Sequence, residues 1–287
     1  RDEIEKPIYR NESTQVDKED DQEKPENELK VFGHDFFSTY QSTFMPINEP
    51  NFAPDYILDY GDVIEIQLIG QENSIEKYEI SRGGFINIPV IGSINLSGLS
   101  LAQASSLIEA KTKNKYIGTE SHTYLENMRD INVLVAGNAF NPGIYTLSGN
   151  SNPLQAIVVA GGINEFGSYR DIKVKRNNKV IQIIDIYDYL IFGNAKENLR
   201  LRSGDLIFVE KRQNLITVDG AVKRPHVYEL KIEEKLDKAI LFANNIDIDA
   251  DLKNVTLDRI SQGRVSRVAI NSLDNLKNYD SNHKDVL

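Results

Sequence analysis

The amino-acid sequence predicts an α+β protein in which a leading module is followed by two copies of one small unit. A single phrase occurs twice, around Pro142 and Tyr145 in the first copy and around Pro225 and Tyr228 in the second. Both residue types are separated by the same offset (225 − 142 = 83 and 228 − 145 = 83). A constant offset indicates a tandem repeat, and such repeats serve binding, assembly or transport more often than catalysis.

The composition excludes several classes of function. The 287 residues carry a formal net charge of −10, which makes nucleic acid an unfavourable partner because its phosphates would be repelled. The sequence contains no cysteine, so it has no disulfide, no thiol nucleophile and no thiolate zinc site. It shows no signal peptide and no apolar run of about 18 residues. We therefore expect a soluble piece of a longer protein.

Residues 1–51 are predicted to form an acidic arm. Its first 30 residues carry many charged and few apolar side chains, which predicts an extended or disordered segment; the alternative is a strap that docks on a neighbouring surface. Five aromatic residues follow within a segment flanked by prolines: Phe32, Phe36, Phe37, Tyr40 and Phe44. We expect these rings to attach the arm to a domain surface rather than to form a ligand cage.

Residues 52–130 are predicted to form a compact module of strands covered by one helix. The Gly61-Asp62 turn precedes an alternating apolar segment, as expected for a strand with one buried face. Turn residues separate the segments that follow: Pro89, Gly92 and Gly98. Ser100 is a candidate N-cap for the helix, and Gln103 completes a capping box three residues later.

Residues 131–213 are predicted to contain the first copy of the repeat. Pro142 suits position i+1 of a type II turn and Gly143 suits the positive φ at position i+2, so we expect a β-hairpin. A short apolar helix follows, and Gly161-Gly162 is expected to end it in the left-handed conformation. A second hairpin and a final strand after the Gly204-Asp205 turn complete the copy. Two strands, a helix and further strands are the order of a β-grasp unit.

Residues 214–287 are predicted to contain the second copy. Asn244-Asn245 stands in place of Gly161-Gly162, and asparagine also tolerates the left-handed conformation. With a fixed offset, Leu287 corresponds to Gly204 (204 + 83 = 287), which precedes the last strand of the first copy. We therefore expect the second copy to be truncated before its last strand and to leave an open sheet edge.

No catalytic, metal or cofactor site is predicted. The four histidines, at positions 34, 122, 226 and 283, do not have the spacing of metal ligands. The sequence contains no nucleophile elbow, phosphate loop or dinucleotide-binding motif. We interpret the chain as a protein that is not an enzyme. A glycan-cleaving enzyme is the alternative, because the chain has many carboxylates.

Two groups of motifs resemble a known family. Residues 56–66, with the Gly61-Asp62 turn, and residues 84–99 resemble the polysaccharide biosynthesis/export domain of Wza-like outer-membrane polysaccharide export proteins. The phrases around Pro142 and Pro225 resemble the soluble-ligand-binding β-grasp (SLBB) domains that follow it in that family. The resemblance implies a small mixed-sheet export domain followed by tandem SLBB domains.

The resemblance also implies a function. It points to the periplasmic portion of an outer-membrane protein that exports capsular polysaccharide or exopolysaccharide, with each chain acting as one subunit of an oligomeric conduit. The implied partners are further copies in a ring, an inner-membrane polysaccharide copolymerase and the polysaccharide itself, with no cofactor. The alternative is a periplasmic module that binds a small ligand or glycan without a transport role.

Candidate contact residues follow from the repeat. Tyr145 and Tyr228 recur at one position, which suggests glycan contacts, although a tyrosine just after a turn more often packs on the sheet. Arg170, Asp171 and Arg176 are candidates for intersubunit ion pairs, and the alternative for them is a solvated strand end.

Overall fold

A computed structural model describes residues 29–37, 54–194, 199–261 and 263–287. Of the predicted acidic arm, residues 29–37 fall within these ranges, and the predicted attachment through Tyr40 and Phe44 lies outside them. The described residues form two five-stranded sheets, a three-stranded sheet and a two-stranded sheet, with four short or medium helices. This composition confirms the α+β class.

The leading module consists of a small antiparallel sheet, a hairpin and a helix. Its elements are β1 (Val63–Gly70), β2 (Ser74–Glu79), β3 (Phe85–Ile88), β4 (Gly92–Asn95), α1 (Leu101–Lys115) and β5 (Thr119–Asn127). The sheet has the order β2-β1-β5, and β3 pairs with β4. Ile66 of β1 and Ile108 of α1 lie in the same buried cluster. Ser100 and Gln103 form the predicted capping box at the start of α1.

The first repeat is one mixed sheet crossed by a short helix. Its elements are β6 (Asp130–Gly137), β7 (Gly143–Ser148), α2 (Pro153–Val159), β8 (Gly167–Arg176), β9 (Lys179–Ile184), α3 (Ile186–Leu190) and β10 (Leu206–Lys211). The strand order is β7-β6-β10-β8-β9, with β10 parallel to β6 and antiparallel to β8. Gly161 and Gly162 have φ values of 83° and 94° and end α2 as predicted.

The second repeat has the same topology. Its elements are β11 (Asn214–Val218), β12 (His226–Leu230), α4 (Asp237–Phe242), β13 (Val255–Ser261), β14 (Arg264–Ile270) and β15 (Asp285–Val286). The strand order β12-β11-β15-β13-β14 matches that of the first repeat position by position. Asn244 and Asn245 have φ values of 60° and 67°, so they take the conformation that the two glycines take after α2. The predicted tandem repeat is therefore confirmed.

The prediction that the second repeat lacks its last strand is wrong. The short strand β15 lies between β11 and β13, as β10 lies between β6 and β8. Val286 pairs with Asp258 in the way that Leu206 pairs with Lys175. The connection from β14 to β15 is shorter than that from β9 to β10, so the last strand arrives earlier than a fixed offset of 83 predicts.

The hairpin after β6 forms without the predicted type II turn. Gly143 does not have a positive φ; it is the first residue of β7 and pairs with Val135. The left-handed residue is Gly137, with φ of 78°, at the end of β6. The chain between the two strands is longer than a two-residue turn, so Pro142 lies directly before β7 and does not occupy the centre of a tight turn.

The two repeats share one hydrophobic core, whereas the leading module has a core of its own. Tyr187 of α3 contacts Phe242 of α4 edge-on, with ring centroids 5.2 Å apart. Tyr187 also lies 6.4 Å from Tyr228 of β12. These contacts join the first repeat to the second, and we call this contact region the seam.

Candidate functional site

Each of the three modules contains a buried aspartate that pairs with an arginine. These anchor pairs are Asp62 with Arg129, Asp205 with Arg176 and Asp285 with Arg259, and their N–O distances are 2.7, 2.7 and 2.6 Å. The aspartate side chains are at most 1% exposed, while the arginine side chains are 16–23% exposed. Each aspartate also accepts a hydrogen bond from the backbone N–H three residues earlier.

A left-handed residue precedes each anchor aspartate. Gly61, Gly204 and Lys284 have φ values of 90°, 87° and 69°. This conformation turns the carboxylate back toward its own loop, where both oxygens are bonded. The sequence pattern indicated the first two turns and missed the third, because Lys284 stands where the other two modules have glycine. Each anchor pair fixes the start of a strand. Both oxygens of its carboxylate are already hydrogen-bonded, so the group is poorly placed to act on a substrate.

The anchor geometry corrects one predicted contact. Arg176 donates to both oxygens of Asp205 within its own repeat, at 2.8 and 2.7 Å, and to the carbonyl of Arg200 at 3.3 Å. These bonds give Arg176 an intrachain partner in place of the proposed intersubunit one.

Arg170 is the central charge of the seam. It lies on β8 and its side chain is 5% exposed. Its guanidinium donates to Asp185 of the first repeat at 3.1–3.3 Å, to Glu234 of the second repeat at 2.9 Å, and to the carbonyl of Glu229 at 3.0 Å. Both predicted interpretations of Arg170, a solvated strand end and an intersubunit ion pair, are therefore wrong. The residue connects the two repeats of a single chain.

Two aromatic rings cover the guanidinium of Arg170. Its central carbon lies 4.9 Å from the ring centroid of Tyr187 and 4.8 Å from that of Phe242. Rings at this distance attract a cation and also exclude water from its hydrogen bonds. The two ring centroids are 5.2 Å apart, so the rings adjoin each other on one side of the guanidinium. The seam therefore combines apolar packing with a buried charge that is hydrogen-bonded to both repeats.

The charged groups at the seam have shifted pKa values. Burial alone would lower the pKa of Arg170, but its bonds to Glu234 and Asp185 outweigh burial and raise it, so the residue stays protonated. Burial would raise the pKa of Glu234, but the bond from Arg170 lowers it overall. Burial does raise the pKa of Glu229, although Ser168 and two backbone N–H groups donate to its carboxylate. The seam thus holds a charged ion pair, Arg170 with Glu234, and a buried carboxylate, Glu229, whose charged form is disfavoured by burial.

Residues 29–37, which we call the strap, dock across both repeats of the same chain. The amide of Phe32 donates to the carbonyl of Val227 at 2.8 Å, and the amide of Val227 donates to the carbonyl of Lys30 at 3.0 Å. The ring of Phe32 is buried against Tyr187 and Tyr228, with centroid distances of 5.2 and 5.3 Å. The strap therefore pairs with the edge strand β12 and covers the aromatic part of the seam.

The other end of the strap contacts the first repeat. Phe37 stacks on Tyr169 at a centroid distance of 6.4 Å. A Cβ atom built on Gly162 would lie 2.7 Å from the Cβ of Phe37, so no larger residue fits there while the strap is docked. Gly162 thus has a second role beyond ending α2, and the predicted attachment by aromatic rings is confirmed for Phe32 and Phe37.

We expect docking of the strap to weaken as the pH falls below about 6.5, the usual pKa of histidine. His226 of β12 lies 5.6 Å from the ring of Phe32, and burial together with Arg224 lowers its pKa. A lowered pKa in the folded state means that stability is present above the unfolded pKa and is lost as protons bind at lower pH. The measurement is the hydrogen-exchange protection factor of the Phe32 amide between pH 7.5 and 5.

The control for this prediction is His226→Gln, which cannot titrate in that range. Its protection factor at Phe32 should be constant over the same pH interval. A wild-type protection factor that also stays constant would contradict the prediction.

The two repeated tyrosines satisfy their hydroxyls locally. The hydroxyl of Tyr145 donates to the carbonyl of Asn141, and that of Tyr228 donates to the carbonyl of Arg224, both at 2.6 Å. Tyr228 is fully buried, and burial raises its pKa to about 12, so the predicted glycan contact is wrong for this residue. Tyr145 is half-buried on β7, and its glycan contact stays a prediction.

The remaining predicted residues lie at separate places in the fold. Asp171 is half-buried on β8 and pairs with Lys173 at 3.3 Å, and Lys173 also pairs with Glu210 at 2.8 Å. The intersubunit role of Asp171 stays a prediction. Three of the predicted turn residues shape the leading module: Pro89 in the β3–β4 turn, Gly92 at the start of β4, and Gly98 before α1. In the repeats, Pro142 and Pro225 precede β7 and β12.

A polar cleft of about 700 Å³ lies between the leading module and the first repeat. Asp59, Tyr60 and Ser97 line one wall, and Asn132 and Arg202 line the other. Sequence reasoning missed this cleft, because residues from two modules form it and no single motif contains them.

The described ranges contain no cluster of histidine, aspartate or glutamate side chains that could hold a metal ion. Within these ranges, no helix has the length and apolar character needed to cross a membrane.

Comparison with known proteins identifies two kinds of domain in the chain. The family model described as polysaccharide biosynthesis/export protein matches residues 50–123. The SLBB domain model matches twice, at residues 132–184 and 215–269. The first match falls on the leading module, and the other two fall on the two repeats.

Two curated relatives show similarity to part of the chain. Both are named polysialic acid transport protein KpsD, from Escherichia coli, and each is 33% identical over 182 residues. The aligned region is 63% of this chain and 32% of each relative. The chain therefore spans about a third of the length of the curated relatives that it matches.

Proposed function

Because this chain belongs to the polysaccharide export proteins, with an export domain followed by two SLBB domains, we propose that it is the periplasmic portion of a subunit that conducts polysaccharide to the outer membrane. The observation that carries the proposal is the order of the three domains, together with the shared core of the two repeats. A subunit of this kind needs stacked modules with a fixed geometry, and the seam and the strap supply it between the repeats.

The proposed cargo is a long polysaccharide, the class of polymer for which the relatives are named. A conduit should hold its cargo weakly, since tight binding would stall a moving chain. The net charge of −10 and the absence of tryptophan both favour weak contacts, because an acidic protein repels an acidic polymer and lacks the largest stacking ring. The proposed partners are further copies of this chain in a ring and an inner-membrane polysaccharide copolymerase.

The proposed role is transport and not catalysis. The anchor pairs and the seam place their carboxylates in saturated hydrogen bonds, so these groups are poorly suited to general acid or base chemistry. These carboxylates are structural charges: the anchor pairs stabilise single modules, and the seam charges join the two repeats.

The proposal is tested with the full-length protein in its own bacterium. Deletion of the gene should abolish surface polysaccharide while polymer accumulates inside the cell, and the complementing gene should restore export. Electron microscopy of the purified full-length protein in detergent should show closed rings. Normal surface polysaccharide in the deletion strain, or a protein that stays monomeric at high concentration, would contradict the proposal.

A further inference from the structure

The polar cleft between the leading module and the first repeat is large enough to hold a small molecule. Its volume of about 700 Å³ is in the range of small-molecule sites, which measure about 300–1,000 Å³. Its walls come from two modules with separate cores. A molecule held there would contact both modules at once.

The floor of the cleft is rigid. Arg129 lines it and donates to Asp62 at 2.7 Å, to the hydroxyl of Tyr56 at 3.0 Å and to the carbonyl of Ile57 at 3.3 Å. The amide of Gly149 in the first repeat donates to the carbonyl of Arg129 at 2.9 Å. The anchor pair of the leading module therefore also fixes the base of the cleft, so a ligand would not need to order it.

The wall from the leading module offers an acceptor and a ring. Asp59 accepts hydrogen bonds from the Ser97 hydroxyl at 2.8 Å and from the Tyr60 amide at 2.9 Å, which orient its carboxylate. Burial alone would raise the pKa of Asp59, but these bonds lower it, so the carboxylate is charged and can accept at neutral pH. The Tyr60 side chain is 51% exposed and presents an aromatic face beside it.

The opposite wall offers donors. The side chain of Arg202 is exposed and has neither an ion pair nor a side-chain hydrogen bond with any residue that the structure describes. Asn132 lines the same wall, and its side-chain oxygen accepts from Thr146 at 2.8 Å, while its amide nitrogen donates to no residue that the structure describes. Acceptors on one wall and donors on the other suit a ligand that carries several hydroxyl groups.

The charges of the cleft indicate which part of a sugar it contacts. Arg129 is neutralised by Asp62, so the remaining charges on the walls are those of Arg202, Asp59 and Asp130. The summed charge of these three side chains is not positive, so the cleft would attract a carboxylated sugar only weakly. Hydroxyl groups, by contrast, donate to carboxylates and accept from arginine and amide nitrogen.

We infer that the cleft is a saccharide-contact site that takes a pyranose unit through its hydroxyl groups, with Asp59 accepting, Arg202 and Asn132 donating, and Tyr60 against one face of the ring. The inference rests on the proposed function, since it names a place where the polysaccharide touches the chain. The contact is weak, because both walls are open to water. Its location between two modules means that an occupied site holds the export domain and the first SLBB domain together.

The test is a nuclear magnetic resonance titration of this chain with maltohexaose as a neutral probe and with a sialic acid hexamer as an acidic one. Maltohexaose should shift the signals of residues around the cleft. Tyr60→Ala and Arg202→Ala should each weaken binding by about fivefold, the size expected for loss of one aromatic contact or one hydrogen bond. Binding should persist at high salt, since it does not depend on net charge.

Matched controls exist outside the cleft. Tyr124 on β5 is 52% exposed, and Arg264 on β14 is exposed, so Tyr124→Ala and Arg264→Ala remove the same residue types elsewhere. They should leave the affinity unchanged. Absence of shifts around the cleft, equal loss in the control variants, or tighter and salt-sensitive binding of the sialic acid hexamer would overturn the inference.

This outcome is separable from that of the proposed function. If binding at the cleft fails while full-length protein still restores export, the inference is wrong and the transport role stands. If binding occurs at the cleft but the deletion strain exports polysaccharide normally, the site is a saccharide-contact site in a protein with another role.

Discussion

Replacing Arg170 with alanine is expected to destabilise the two-repeat core by about 3–5 kcal/mol, the loss typical of breaking a buried ion pair from one side. The variant would leave Glu234 without the cation that it pairs with, and Asp185 would keep only Lys231, whose Nζ lies 3.1 Å from its carboxylate. The side chains of Asp185 and Glu234 are 9% and 18% exposed, so water replaces the lost bonds poorly. It would also remove the cation that packs against the rings of Tyr187 and Phe242. Urea denaturation followed by circular dichroism measures the loss, and hydrogen exchange in β8 and β12 locates it.

The control for Arg170 is Arg267→Ala on β14. Arg267 pairs with Asp258 at 2.6 Å, but its side chain is 70% exposed, and such pairs contribute about 0–1 kcal/mol. If the two substitutions cost the same free energy of unfolding, the buried charge of Arg170 does not hold the seam together and the prediction is wrong.

A triple variant separates charge from packing at the seam. Arg170→Met with Asp185→Asn and Glu234→Gln removes the charges of these three residues while keeping similar volumes. Lys231, which pairs with Asp185 at 3.1 Å, is 27% exposed and can turn to water in this variant. The introduced asparagine would still cap α3 through its side-chain oxygen, where Asp185 now accepts from the amide of Tyr187 at 3.0 Å. We expect this variant to be more stable than Arg170→Ala, because it leaves no carboxylate of Asp185 or Glu234 in the seam after the guanidinium is lost.

Much of the fold could be predicted from local patterns. The capping box at Ser100, the left-handed stops at Gly161 and Asn244, and the alternating burial of β6 each depend on residues a few positions apart. Such features follow from backbone sterics and side-chain period, which a single sequence displays. The repeat also predicted that residues 131–213 and 214–287 share one topology, because two copies with matching sequence signals fold alike.

The seam could not be predicted in the same way. Arg170 looks like any strand-end arginine, and its partner Glu234 lies 64 positions away in the other repeat. Its burial is decided by how the repeats dock, which no local pattern encodes. Phe32 is a similar case, because the pairing of its neighbour Val31 with β12 joins the first described segment to the last module. The cleft was missed for the same reason.

The error about β15 has a different origin. The fixed offset holds within the first hairpin and the helix, where sterics set the spacing, and it fails in the connection between β14 and β15, whose length is free to vary. The residue that could have predicted β15 from the sequence is Asp285. It stands at the start of the last strand, as Asp62 and Asp205 stand directly before β1 and β10, but lysine and not glycine precedes it.

The anchor pairs lead to the second large prediction, which concerns their arginines. Arg176→Met is expected to cost about 3–5 kcal/mol, because it leaves the fully buried carboxylate of Asp205 without its cation. Asp205→Asn should cost less, about 1.5–3 kcal/mol, since the asparagine oxygen still accepts the Arg202 amide and the partly exposed Arg176 can turn to water. The order of the two losses, measured by urea denaturation, tests whether burial of the carboxylate governs the pair.

The same substitution in the three modules should act on different cooperative units. Arg176→Met and Arg259→Met alter repeats that share one core, so either should lower hydrogen-exchange protection throughout both repeats. Arg129→Met alters the leading module, whose core is separate, so the loss of protection should be confined to β1, β5 and their neighbours. Loss that spreads from Arg129→Met into β8 and β12 would show that the three modules unfold as one, and would contradict the division into two cores on which the cleft between them depends.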